Sequence, residues 1–210
     1  MNGALYWTLW IFFRAVSLVC FRARTVGKEH IPRDGGVLIA ANHASFLDIP
    51  LLGSSIPRRV AFLGRQDLFP IPGLNGLLQW LGWIPIRHDR LDRAGFGRAV
   101  ALINEGTAVV IYPEGTRTRT GDLGPGKPGL GTLVAETGCV VLPAYIGGTF
   151  EALPMGSARL RFRPVWVAFG KPIDFSADRS RHGKKDFYRY VSQTVMERIA
   201  DLGRAGPPAG

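Results

Sequence analysis

The sequence predicts a single α/β domain with a mixed, mostly parallel sheet flanked by helices, preceded by a membrane-contacting helical segment. The 210 residues are 46% hydrophobic and 20% charged, which suits one domain with a buried core. Short apolar runs bounded by glycine or proline alternate with longer segments of helical spacing. Polar motifs follow two of the short runs, where α/β folds place their functional loops.

Residues 1–30 are predicted to form an N-terminal apolar segment that associates with a membrane. Ala4 to Phe21 is almost wholly apolar or aromatic, interrupted only by Arg14, and a basic stretch follows it. Its eighteen residues reach only the lower end of the range that spans a bilayer, and a central arginine costs about 3 kcal/mol on insertion scales. Lying in the interface therefore competes with crossing, and a core helix of a soluble protein is the alternative. The aromatic residues that suit the lipid headgroup region are Tyr6, Trp7 and Trp10.

Short apolar runs predict the strands. Val37 to Ala41 is too short for a helix and follows Gly35-Gly36. Arg159 to Phe169 alternates arginines with apolar residues, which predicts a strand with one wet, basic face. Further strands are predicted over residues 59–63, 83–86, 108–112 and 140–146.

Helical spacing of apolar residues predicts the helices. Arg93 to Asn104 follows this spacing, and Glu105-Gly106 makes a plausible stop. Further helices are predicted over residues 74–81, 130–137 and 187–202, so the domain covers residues 31–203 and a disordered tail covers 204–210. Phe69 to Ile86 is either a membrane-facing or acyl-lining surface or an ordinary buried helix and strand.

Charge and cysteine usage limit the partners. Lys and Arg number 26 against 16 Asp and Glu, and the resulting net charge of +10 favours an anionic membrane surface, a phosphorylated ligand or nucleic acid. Cys20 and Cys139 lie far apart without ligand-like spacing. Neither a disulfide framework nor a metal site is therefore expected.

The stretch after the first buried strand carries a base and a carboxylate. A histidine such as His43, whose second ring nitrogen is held by Asp48, is fixed in one tautomer and can take a proton from a hydroxyl. Asn42 and Ser45 add small polar groups that are predicted to contact the substrate. Asp48 also stands where a helix is expected to begin, so capping that helix is a second role open to it.

A second motif, Tyr112 to Arg119, follows the strand at 108–112. Its glycine turn carries a hydroxyl on Thr116 and a planar guanidinium on Arg117, and Gly115 lets backbone N–H groups approach a ligand closely. These are the groups that bind a phosphate. Glu114 is expected to orient Arg117 or to bind a ligand hydroxyl, while a solvated basic turn is the alternative for the whole motif.

The two motifs together resemble the paired signature of the glycerophospholipid acyltransferases, and in particular the 1-acylglycerol-3-phosphate acyltransferase branch. In chain order they are His43-x4-Asp48 and Glu114-Gly115-Thr116-Arg117. The resemblance spans roughly residues 26–171 and includes blocks at 62–68, 82–86, 127–129 and 141–144. It implies that Arg65 helps to bind the substrate phosphate and that Lys127 also contacts the substrate. The chain departs from the usual pattern at Arg87-His88 and at Gly126.

The resemblance implies an acyl transfer that makes phosphatidic acid. His43 is expected to deprotonate the free hydroxyl of lysophosphatidic acid while that oxygen attacks an acyl thioester, and Asp48 to stabilise the imidazolium. No covalent acyl-enzyme, cofactor or metal is expected, because a thiolate leaves readily. The donor is acyl-CoA or acyl carrier protein. The expected location is the cytoplasmic face of the cell membrane.

Two other functions remain open at this point. The same histidine and carboxylate serve acyl transfer to another lysolipid or to a glycolipid. A non-catalytic protein that binds nucleic acid or an anionic membrane through its charge is a different class. No motif that reads DNA or RNA accompanies the charge, so a nucleic-acid partner is not expected.

Overall fold

The computed structural model describes residues 3–66, 74–87 and 92–207 of the chain. His88 and residues 67–73, which include part of a block used for the family resemblance, lie outside the described residues.

The described residues form a mixed, mostly parallel sheet, as predicted. In chain order the strands are β1 (Arg24–Val26), β2 (Val37–Ala41), β3 (Val60–Arg65), β4 (Trp83–Ile86), β5 (Ala108–Ile111), β6 (Val140–Gly147) and β7 (Trp166–Phe169). Their order across the sheet is β1-β7-β6-β2-β5-β3-β4, and only the β6–β7 pair is antiparallel. β2 lies near the centre, and all five of its residues are buried.

Helices cover both faces of the sheet. They are α1 (Gly3–Phe21), α2 (Asp48–Ser55), α3 (Leu74–Trp80), α4 (Arg93–Asn104), α5 (Gly129–Thr137), α6 (Thr149–Ala152) and α7 (Lys184–Ala205), with short 3-10 turns at Lys28–His30 and Arg179–Arg181. Successive side chains of a strand point to opposite faces. Leu38 and Ala40 accordingly pack in the core under α4, α5 and α7, whereas Val37 and Ile39 pack in the core under α2.

Two predicted segments differ from the structure. The strand predicted over residues 159–169 is wrong before Trp166, because residues 158–164 are exposed and Pro164 has no N–H to give to a strand ladder. The C-terminal boundary also moves, since α7 continues to Ala205, two residues into the predicted tail, and ends at Gly206 with a φ of 76°.

Helix α1 packs on α2 along one face only. The Trp10 Nε1 donates to the Ile56 carbonyl at 2.9 Å, and the Val60 N–H donates to the Tyr6 hydroxyl at 3.1 Å. Two turns further on, the hydroxyls of Ser17 and Ser54 lie 3.3 Å apart. By length and composition α1 is apolar enough to cross a membrane, and only 11% of its most apolar stretch is buried. A core helix of a soluble protein would be mostly buried, so the structure does not support that alternative.

Candidate active site

The two sequence motifs meet at one edge of the sheet. β2 and β5 are parallel neighbours, so the loops that follow them leave the sheet side by side. The backbone N–H of His43 donates to Glu114 Oε1 at 2.8 Å, and the N–H of Thr118 donates to the His43 carbonyl at 2.9 Å. The loop after β2 is thus bonded directly to the loop after β5.

The imidazole of His43 is held by a fully buried carboxylate. His43 Nδ1 lies 2.8 Å from Asp48 Oδ2, and the same oxygen accepts the backbone N–H groups of Ala44 at 2.7 Å and Ser45 at 2.8 Å. Asp48 is 0% exposed, whereas the His43 side chain is 14% exposed. Because the carboxylate acts as acceptor, Nδ1 carries a hydrogen and the Nε2 lone pair is left for a substrate. The N–H groups that Asp48 binds precede α2, so this carboxylate orders the loop and does not cap the helix.

Tyr112 supplies a surface for the histidine ring. The two ring centroids lie 4.0 Å apart and the planes are inclined by only 13°. Burial raises the pKa of the Tyr112 phenol well above its usual value, and the charge of Asp48 raises it further, so the ring remains neutral. The electron-rich face of a neutral aromatic ring attracts a cation. Tyr112 therefore favours the imidazolium that forms when His43 takes a proton.

A cavity of about 510 Å³ opens beside this pair. Its polar lining combines His43, Thr116 and Asp92 with four cationic residues, namely Arg65, Arg87, Arg117 and Lys127. The structure thus brings the predicted phosphate-binding side chains to the same cavity as the histidine. Arg87 also lines this cavity, although no role was predicted for it from the sequence. The apolar part of the wall includes Leu63, Trp83, Ile86, Phe96, Ile111, Leu130 and Met155.

Two of the cationic side chains pack against neighbouring residues. The guanidinium carbon of Arg117 lies 3.5 Å from the ring centroid of Phe46, and partial burial lowers the pKa of this arginine. Lys127 crosses over Gly115, where an added Cβ would stand 2.8 Å from its Nζ. Gly115 also has a φ of 70°. A side chain at position 115 would therefore be strained and would displace Lys127.

Comparison with known proteins identifies the family. The sequence profile of the family described as Acyltransferase matches residues 22–147. The chain belongs to the acyltransferase family. It is 34% identical over 175 residues to the chloroplastic 1-acyl-sn-glycerol-3-phosphate acyltransferase BAT2 of Brassica napus, covering 79% of this chain and 51% of the relative. It is 33% identical over 157 residues to the chloroplastic enzyme LPAT1 of Arabidopsis thaliana, covering 73% and 44%.

A solved structure shows the same fold. The crystal structure of the 1-acyl-sn-glycerophosphate acyltransferase PlsC from Thermotoga maritima superposes with a TM-score of 0.78 and 24% identity, covering 100% of this chain and 86% of that one. The chain spans about half the length of the two plant relatives.

Two residues predicted to contact substrate are instead hydrogen-bonded within the protein. The Asn42 amide donates to the Ile146 carbonyl at 3.0 Å and accepts the Ile146 N–H at 2.7 Å, which ties β2 to β6. The Ser45 hydroxyl donates to the Leu153 carbonyl at 2.7 Å and accepts the Leu47 N–H at 3.2 Å. Both residues are buried. Their polar atoms position the histidine loop, and we revise the predicted role in substrate binding accordingly.

Glu114 has a similar positioning role. Its Oε1 accepts the His43 N–H, and its Oε2 accepts the Gly124 N–H at 2.8 Å. The side chain is only 6% exposed, and burial raises the pKa of the carboxyl although both hydrogen bonds oppose the rise. The prediction that Glu114 orients Arg117 or binds a ligand hydroxyl is therefore replaced by a link between the two loops.

Among residues 3–66, 74–87 and 92–207, no cluster of three or more His, Cys, Asp or Glu is placed to hold a metal.

Proposed function

We propose that the protein transfers a fatty acyl group from an acyl thioester to the sn-2 hydroxyl of 1-acylglycerol 3-phosphate and so makes phosphatidic acid. The observation that carries the proposal is the shared cavity, in which a carboxylate-held histidine faces the same space as Arg117 and Lys127. An acceptor with a hydroxyl and a phosphate needs both groups within one site. The relatives in Brassica napus and Arabidopsis thaliana are both named as 1-acyl-sn-glycerol-3-phosphate acyltransferases.

In the proposed mechanism His43 Nε2 removes the acceptor's hydroxyl proton while that oxygen attacks the thioester carbonyl. A new C–O bond forms, the C–S bond breaks, and the departing thiolate takes the proton back from the imidazolium. Asp48 and the face of Tyr112 stabilise the imidazolium between these steps. The acyl group passes directly between the two substrates, so the mechanism uses neither a covalent acyl-enzyme nor a metal or cofactor.

The cationic wall of the cavity would hold the acceptor phosphate. Arg117 offers a planar fork to two phosphate oxygens, while Lys127 and Arg65 add positive charge, and the hydroxyl of Thr116 and the backbone of Gly115 lie on the same wall. Binding the phosphate would fix the distance from the acceptor hydroxyl to His43. Because the reacting groups are then already in position, part of the entropy cost of bringing two substrates together is met by binding. Acyl-CoA and acyl carrier protein present the same thioester, and both are candidate donors.

Lipid substrates favour an enzyme that sits at a bilayer. The exposed side of α1 carries large apolar residues, among them Trp7, Ile11, Phe12 and Val19. Because the other side is hydrogen-bonded to α2 and the start of β3, we propose that α1 lies in the membrane interface rather than crossing it. The positive charge of the protein suits the anionic cytoplasmic leaflet.

The test is a thiol-release assay with acyl-CoA and a panel of acceptors, with the product identified by mass. We expect 1-acylglycerol 3-phosphate to be preferred over lysophosphatidylcholine, lysophosphatidylethanolamine and monoacylglycerol, and His43→Ala to lower turnover by about 10² to 10⁴. A preference for another lysolipid would replace the acceptor assignment. Thiol release that does not depend on any acceptor would contradict acyl transfer.

A further inference from the structure

Arg159 to Arg163 form a segment, Arg-Leu-Arg-Phe-Arg, that exposes apolar side chains between positive charges. Phe162 is 67% exposed and Leu160 is 44% exposed. Large apolar side chains left in water next to several cations are typical of surfaces that bind anionic lipid, because the chains enter the interface while the cations meet lipid phosphates. The segment is not a strand of the sheet, so nothing in the fold itself requires this alternation.

The segment is fixed against the end of α1. The ring of Phe162 lies 5.7 Å from the ring of Phe21, the last residue of that helix. The N–H of Val165 donates to the Phe21 carbonyl at 3.0 Å, and the N–H of Arg161 donates to the Ala152 carbonyl at 2.8 Å. Phe162 therefore lies exposed beside the C-terminal end of α1, where it packs on the buried ring of Phe21.

The same loop also forms part of the cavity wall. The Leu153 carbonyl accepts a hydrogen bond from the Ser45 hydroxyl. Met155, two residues further on, lines the cavity and is 37% exposed. Phe46 lines the cavity as well and is 36% exposed. A bilayer that contacts residues 159–163 would thus lie near a rim with two exposed apolar side chains.

We propose that residues 159–163 bind an anionic bilayer as a second membrane contact, separate in sequence from α1, and that this contact directs the cavity rim towards the lipid. The inference builds on the interfacial placement of α1 proposed above. Asp122 and Glu151 line a shallow pocket with Arg161 and Arg163, yet in the described part of the chain no ion pair joins them. These guanidinium groups are therefore available to lipid phosphates.

The experiment measures binding of the full chain to vesicles by co-sedimentation, with no substrate present. The vesicles are phosphatidylcholine alone or with 30 mol% phosphatidylglycerol, a fraction of about a third chosen to give the anionic surface that basic residues recognise. The triple variant R159Q/R161Q/R163Q should bind the anionic vesicles at least about tenfold more weakly than wild type, since each basic residue near such a surface contributes up to about fivefold. Phe162→Ser should weaken binding to both vesicle types, and Phe162→Trp should restore it.

The matched control is R181Q/R189Q/R198Q, which removes the same charge from three exposed arginines elsewhere on the surface. We expect this control to change binding by about twofold or less, because those residues lie outside the contact. Equal weakening by the two triple variants, or unchanged binding by Phe162→Ser, would overturn the proposal. Turnover is measured separately with detergent-dispersed substrates, where the segment variants should match wild type. Absent turnover there with normal vesicle binding would count against the proposed reaction and leave the membrane contact standing.

Discussion

The two sides of the cavity are built differently. On the histidine side, the buried carboxylates of Asp48 and Glu114 each form a hydrogen bond of 2.8 Å with His43. On the cationic side, Arg65 is exposed and Arg117 is held mainly by the ring of Phe46. The difference indicates that the proton-transfer group is positioned by the fold before any substrate arrives, whereas the phosphate contacts can adjust to the acceptor. Changes on the first side should lower kcat, and changes on the second should raise KM.

The largest expected effect is that of Asp48→Asn on the histidine side. An amide oxygen can still accept the three N–H groups that now reach Asp48 Oδ2, so the loop geometry is kept while the negative charge is lost. We expect kcat to fall by about 10² to 10⁴ with KM little changed. Steady-state kinetics checks this, and the thermal unfolding temperature serves as the control for folding. A variant that unfolds normally and retains wild-type kcat would show that the charge of Asp48 has no part in the reaction.

A smaller effect is expected for Ser45→Ala, which tests whether a buried polar residue of the histidine loop supports structure rather than substrate binding. The substitution leaves the Leu153 carbonyl and the Leu47 N–H without their partner. The free energy of unfolding should fall by about 1 to 3 kcal/mol. Chemical denaturation measures this change, and KM for the acceptor should stay within about twofold, well below the cost of a lost charged hydrogen bond. A raised KM with unchanged stability would restore the substrate contact predicted from sequence.

The smallest effects are expected at Tyr112. Its hydroxyl is buried and has no hydrogen-bond partner in the described part of the chain, so Tyr112→Phe should change neither stability nor kcat. Tyr112→Leu removes the aromatic face under His43 and should lower kcat by about twofold to thirtyfold, in line with a cation–π contact of about 0.5 to 2 kcal/mol. Measuring kcat for both variants separates the ring from the hydroxyl. Equal losses in the two variants would assign the effect to the hydroxyl.

Sequence patterns predicted the core of the fold because the responsible signals are local. β2 and α4 match their predicted bounds, since each is a run of one periodicity ended by glycine or a polar turn. The motif spacing and the family resemblance brought out His43, Asp48 and the loop at 114–117. The parallel order of β2 and β5 then explains why these lie together.

The missed features depend on contacts between distant parts of the chain. The partners of Asn42 and Ser45 lie more than 100 positions away, at Ile146 and Leu153, and nothing near either residue in sequence indicates them. The stacking of Tyr112 on His43 likewise exists only in three dimensions. The alternation of arginine and apolar residues at 159–163 is compatible both with a strand that has one solvent-exposed face and with an exposed loop. Only the contacts of this segment with the rest of the fold distinguish the two.

The most direct test of the shared cavity compares two acceptors in wild type and in Arg117→Ala. The acceptors are 1-acylglycerol 3-phosphate and monoacylglycerol, which differ in the phosphate alone, and kcat/KM is measured for each. If His43 and Arg117 act on one bound molecule, wild type should prefer the phosphate-bearing acceptor. Arg117→Ala should cut that preference by at least about tenfold, as expected for a lost charged hydrogen bond, while the rate with monoacylglycerol stays unchanged. A preference that survives the substitution, or equal losses with both acceptors, would contradict the account.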